Sequence, residues 1–272
     1  MKHYLTIFVS LFALQLAALP VGNPADPSAF CTHLLSNPAE DSGKLSCRLS
    51  YLGNYVQNRK MQLQMLPKPT AYEAALMTQS GVFTVNVLQR LDLMASMGAS
   101  NLRVQSPVLD RYEEVIEDET GQLSTLSNFS WGVGVRGMLL QAGPITVGGG
   151  AQYFYTHPVV SRVREEYFEG SIADQGIRVL YEELQLDVAS SYTIALSRRL
   201  ALLPYIGLQY SQAVLNGEDA EFLFFHFPAL IEQRTVGYSL GLTLMGGQCC
   251  HLTIEQRLLN ENALSVVAGF RY

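Results

Sequence analysis

From about Leu45 to the C-terminus the chain repeats one pattern, stretches of about ten residues in which every second side chain is apolar. Leu184, Leu186, Val188, Tyr192, Ile194 and Leu196 alternate with Gln185, Asp187, Ala189, Ser191, Thr193 and Ala195. Val236, Tyr238, Leu240, Leu242 and Leu244 do the same, and so do Leu252, Ile254 and Leu258. Looser versions cover 45–57, 81–88, 92–99, 129–140, 145–156 and 202–213. Period two is the signature of a strand with one apolar face, and ~9–11 residues is the length of a tilted strand that crosses a bilayer. The chain is 48% hydrophobic and only 15% charged over 272 residues. No internal run reaches the roughly 18 consecutive apolar residues of a membrane helix. The pattern therefore predicts an all-β protein, a transmembrane antiparallel β-barrel with an even strand number of about 10–14.

The connections fit that architecture. Gln141-Ala142-Gly143-Pro144 and Asn260-Glu261-Asn262 read as tight turns. The stretch 107–127, with Glu113, Glu114, Glu117, Asp118 and Glu119, and the charged stretch 157–183 read as long solvated loops. Short periplasmic turns and longer outer loops are expected of an outer-membrane barrel. Phe222, Phe224, Phe225 and Phe227 around His226, within 214–233, alternate poorly. A membrane-facing strand with an aromatic girdle is the favoured reading there, and a loop folded into the pore is the other.

The ends carry two further signals. Met1-Lys2-His3, the apolar stretch Leu5–Leu14 and the small residues Ala17 and Ala18 predict a secretory signal peptide over 1–18, leaving 19–272 as the barrel domain. At the other end Leu264, Val266, Ala268, Phe270 and Tyr272 fall on alternate positions and finish on an aromatic residue. That row resembles the C-terminal signal by which bacterial outer-membrane proteins are handed to the barrel assembly machinery. The expected location is the bacterial outer membrane, with its lipids as partners. The formal charge of −6 becomes −7 without Lys2, which leaves no electrostatic footprint for nucleic acid.

Residues that would carry catalytic or cofactor chemistry do not assemble. Gly132, Gly134 and Gly137 spell G-x-G-x-x-G, but Met138-Leu139-Leu140, a Gly-Pro turn and another alternating stretch follow, so no βαβ unit can be built. The glycines belong to a barrel wall, with Trp131, Val133 and Val135 toward lipid and Gly137 where the strand bends. There is no G-x-S-x-G and no P-loop, and His33, His157, His226 and His251 are scattered. The pairs Glu165-Glu166 and Glu182-Glu183 are adjacent rather than spaced to converge. Cys249-Cys250-His251 cannot close on one ion. No catalytic residue, metal site or cofactor is expected.

Transport remains, and its chemistry lies in the lumen. Positions of opposite parity to the apolar ones place Arg48, Arg136, Asp187, Glu255, Arg257 and Arg271 inside. Four positive and two negative charges predict a preference for anions. For Glu255 and Arg257 a pairing role that rigidifies the wall is the alternative. Tyr153, Tyr155, Tyr192 and Tyr238 are candidates for the interfacial belts, with mid-depth positions as the competing reading. Cys31, Cys47, Cys249 and Cys250 would sit in an oxidising compartment, and the sequence does not choose among their three pairings.

Four segments, in order, are similar to the chlamydial major outer membrane porin family: "LPVGNPADPS" (19–28), "WGVGVRGMLLQAGPITVGGGAQYFY" (131–155), "LLPYIGLQYSQA" (202–213) and "LTIEQRLLNENALSVVAGFRY" (252–272). The resemblance implies a barrel porin that also strengthens the envelope through disulfides to other envelope proteins, and a homotrimer. The chain departs from the family in being shorter and in keeping only Cys31 and Cys47 where the family has a dense cysteine cluster. Three functions are weighed: passive diffusion of ions and small hydrophilic solutes, a disulfide-linked structural barrel with little channel activity, and, last, an outer-membrane enzyme.

Overall fold

A computed structural model describes residues 22–25, 45–63, 72–109, 115–165, 168–171, 176–197, 200–218, 229–246 and 250–271. Its strands are β1 (Leu45–Leu63), β2 (Tyr72–Val87), β3 (Leu91–Leu109), β4 (Val115–Thr125), β5 (Asn128–Ala142), β6 (Ile145–Thr156), β7 (Val160–Glu165), β8 (Phe168–Ser171), β9 (Arg178–Tyr192), β10 (Ile194–Ser197), β11 (Leu200–Glu218), β12 (Leu230–Glu232), β13 (Val236–Gly246), β14 (Cys250–Leu258) and β15 (Glu261–Arg271). Ten of them close a ring in the order β1, β2, β3, β5, β6, β9, β11, β13, β14, β15 and back to β1, every pair antiparallel. Closure leaves no strand edge unpaired in the ring, which is the condition for a sheet to cross a bilayer.

The alternation translates directly into two faces. On β9 Leu184, Leu186 and Val188 are exposed on the outside, while Gln185, Asp187, Ala189 and Ser191 are buried inside. The C-terminal row is likewise outward, with Leu264 and Phe270 exposed; Tyr272 lies outside the described residues. On β5 Val133 and Val135 face out beside Trp131, whose ring lies 5.7 Å from Tyr153 and 5.6 Å from Tyr155. Gly137 stays in register opposite Gly149, and a register shift follows it between Met138 and Leu140.

Several boundaries differ from the sequence expectation. The stretch 107–127 is not a loop: β3 runs on to Leu109 and β4 returns along it and onto β7. The stretch 157–183 contains β7, β8 and the start of β9. Leu123, Val160 and Val163 on these strands are buried in the interior apolar cluster, while Arg162 and Arg164 are exposed on the other side. Glu113, Glu114 and Glu166 lie outside the described residues. The turn at Leu259-Asn260, with Leu259 at φ 83°, sits at the same end as the long connections, not with the short turns at Leu88–Arg90 and Gly143-Pro144. Strands β13, β14 and β15 are thus the low side of the wall, at 11, 9 and 11 residues against 19 for β1.

The stretch 214–233 is described only at its two ends. Residues 214–218 continue β11, but β12 leaves the wall and pairs with both Met61–Leu63 of β1 and Val214-Leu215 of β11. It spans the low side from one tall strand to the other. Leu230 and Glu232 are buried. The aromatic run Phe222, Phe224, Phe225, His226 and Phe227 lies outside the described residues.

Candidate functional site

Among the described residues, much of the interior of the ring is occupied by side chains. A ten-stranded barrel is little wider than the eight-stranded ones whose interiors side chains just fill. At the loop end Met61, Leu63, Leu76, Leu102, Leu215 and Leu230 form part of an apolar cluster. Below it lie two charged groups, and at the end where the strands begin and finish, Ala201, Leu203 and Met245 pack around Ala25.

The upper charged group centres on Arg59. Its Nη2 donates to Glu183 Oε1 at 2.7 Å and to Glu261 Oε2, its Nη1 donates to the Tyr181 hydroxyl, and its Nε is 3.6 Å from Glu232 Oε1. Glu232 is held in turn by Ser211 Oγ at 2.7 Å and the Ala213 amide at 3.1 Å. Arg257 joins from β14, its Nε 3.0 Å from Glu261 Oε1 and 3.9 Å from Glu255 Oε1, with Nη2 donating to Asn54 Oδ1 at 2.9 Å. Strands from around the ring meet in this network.

The lower group is built on Asp92. It accepts from Arg48 Nη2 and Arg136 Nη2, both at 3.0 Å on Oδ2, and from Asn86 Nδ2 at 2.7 Å on Oδ1. Asn86, Asp92 and Arg136 are direct partners across β2, β3 and β5, so the ladder itself sets them in one row. Arg48, Arg136, Gln152, His251 and Thr253 help line a small cavity here.

Five of the six luminal candidates, Arg48, Arg136, Asp187, Glu255 and Arg257, are buried inside the ring. Arg271 stands opposite Arg48 in the ladder, and its side chain lies outside the described residues. Glu255 and Arg257 do pair, although Arg257 is closer to Glu261. Sequence parity missed Arg59, Asp92, Glu183, Glu232 and Glu261. Counting them, the buried charges are Arg48, Arg59, Arg136 and Arg257 against Asp92, Glu183, Asp187, Glu232, Glu255 and Glu261. Carboxylates outnumber guanidiniums six to four among the described residues, which removes the basis for an anion preference.

The cysteines are partly described. Cys47 and Cys250 are free thiols, and Cys250 Sγ lies 3.2 Å from the Gly246 carbonyl. They stand on β1 and β14, two strands apart across β15, roughly 10 Å at ordinary strand spacing, which is too far for a disulfide between them. Cys31 and Cys249 lie outside the described residues, as does the expected signal peptide. Among the described residues no group of three His, Cys, Asp or Glu side chains is arranged to hold a metal ion.

No family model matches the chain. It is 23% identical to a major outer membrane porin of Chlamydia pneumoniae, over 95% of both chains. It is 23% identical to the serovar E major outer membrane porin of Chlamydia trachomatis, over 100% of this chain and 99% of the other. The first alignment spans 380 positions for 272 residues here, so the relatives' extra length is internal. Among solved structures, the beta domain of the Bordetella autotransporter BrkA aligns over 85% of this chain and 99% of its own at 11% identity, with a TM-score of 0.45.

Proposed function

We propose that this chain, a shortened and divergent member of the chlamydial major outer membrane porin family, is a narrow channel for ions and small hydrophilic solutes. It is an integral outer-membrane β-barrel with an apolar outer face. The observation that carries the channel reading is the inverted polarity of the ring: nine charged side chains of its strands, joined by Glu232 of β12, are buried inside while leucines, valines and aromatics stand exposed outside. A soluble barrel would bury the second set. The reading is non-enzymatic, in keeping with the relatives' name.

The excess of interior carboxylates supports selectivity for cations. Planar-bilayer recording of the refolded chain tests both parts. Stepwise conductance with a reversal potential of cation-selective sign supports them; an anion-selective sign refutes the selectivity.

A second reading, a structural barrel with little conductance, is favoured by the packing of Arg59 and Arg257, which are 1% and 0% exposed. In that reading Cys31, Cys47, Cys249 or Cys250 link the barrel to neighbouring envelope proteins. Silence in the bilayer together with reducible multimers on gels would select it. Under either reading residues 1–18 are removed on export, the outward row ending at Tyr272 engages the assembly machinery, and trimerisation is checked by cross-linking.

A further inference from the structure

Residues 22–25 have a place that the channel reading alone does not explain. Residues Gly22–Ala25 lie inside the ring, all four buried. The Gly22 amide donates to Glu255 Oε2 on β14 at 2.9 Å. On the other side a β-carbon at Gly22 would run into the Arg136 guanidinium on β5. In a ring of ten, β5 and β14 are five places apart, so Gly22 touches diametrically opposite walls. Asn23 Nδ2 donates to the Leu203 carbonyl at 3.2 Å and to Thr243 Oγ1 at 3.1 Å, and its Oδ1 accepts from the Ala25 amide at 2.9 Å. Pro24 lies against Gly148, where an added β-carbon would come within 2.9 Å of the proline's own.

Two glycines are needed for this fit. Gly22 has φ 79°, a left-handed conformation that side chains rarely adopt, and its missing β-carbon is what lets the Arg136 guanidinium approach. Gly148 leaves on the wall the space that Pro24 fills. The segment carries no charge of its own, so it crosses the charged lumen through backbone and amide hydrogen bonds, which can be exchanged for water.

From this geometry we infer that residues 22–25 are a strap that closes the lumen and is displaced when the channel conducts. The inference rests on the channel reading and adds its regulation. The strap crosses at the level of Arg48, Asp92 and Arg136, so a solute passing those charges must pass it.

The test is single-channel recording of the full chain, of a variant lacking residues 22–25, of Asn23→Ala, and of the wall variant Thr243→Val, each first shown to be folded by its heat-dependent gel shift. Deletion is expected to raise the open fraction above that of the wild type. Asn23→Ala, which loses two donated bonds and one accepted bond, is expected to raise the open-to-closed ratio by roughly 10–100-fold, and Thr243→Val by less. Identical open fractions in the folded wild type, deletion and Asn23→Ala would overturn the strap and leave the channel reading intact. Silence of all the folded variants would overturn the strap and the channel reading together.

Discussion

Replacing Arg59 by Met tests the interior most sharply, because two ways of placing the residue predict opposite signs. Strict alternation from Leu45 through Tyr55 puts position 59 on the outer, lipid-facing side, where exchanging a guanidinium for a thioether would stabilise the barrel. The register shift between Val56 and Asn58 inserts a bulge and turns Arg59 inward, to 1% exposure among Tyr181, Glu183, Glu232 and Glu261. Met conserves much of the stem volume, so packing loss is small and the electrostatic loss dominates. Glu183 and Glu232 are then left without their cation, and Glu261 keeps only Arg257. Removing one partner of a buried ion pair costs about 3–5 kcal/mol, and that is the expected loss. Urea unfolding in lipid vesicles reads it through Trp131, the single tryptophan, which sits against Tyr153 and Tyr155. Lys60→Met, one residue on and exposed on the outer side, is the control and is expected to leave stability unchanged or raise it. An Arg59→Met barrel as stable as wild type, or more so, would refute the bulge and the network built on it.

Other perturbations follow from the same geometry. Leu208 is 67% exposed on the outer face, and Leu208→Arg is expected to cost about 2–4 kcal/mol in the vesicle assay if that face meets lipid. Gly241 lies under the Tyr205 ring, whose hydroxyl donates to Glu255 Oε2 at 2.6 Å. Gly241→Val should displace the ring and cost about 1–3 kcal/mol, while Tyr205→Phe should lose about 1.5–3 kcal/mol with the ring in place. Asp92→Asn leaves Arg48 and Arg136 without their shared carboxylate, so the reversal potential should move toward anions; no movement would mean that permeating ions do not pass this group.

Where every residue of a strand faces either lipid or lumen, two-residue periodicity is enough to assign it, and β9, β13 and β14 were legible in that way. The same rule reached Arg48, Arg136, Asp187, Glu255 and Arg257. It failed on Arg59 because one bulged residue inverts parity without leaving a compositional mark. It failed on Glu232 because that side chain comes from β12, which has only three residues and no periodicity of its own. Glu261 stood in what read as a turn, and Glu183 in what read as a loop. The strap shows the complementary case: "GNPA" entered only through a family resemblance, and the facing wall reveals what its amide and glycine fit.

Strand β12 has a consequence for the order of folding. Its partners, Met61–Leu63 and Val214-Leu215, are far apart in sequence and belong to strands separated by β13, β14 and β15 around the ring. With so few residues on each side, β12 cannot hold those strands together by itself, and the loop entropy of joining them is met only once β15 has found β1. It is therefore a latch set after closure. The Glu232 contact to Arg59 made through it would be absent from any assembly intermediate in which the ring is still open.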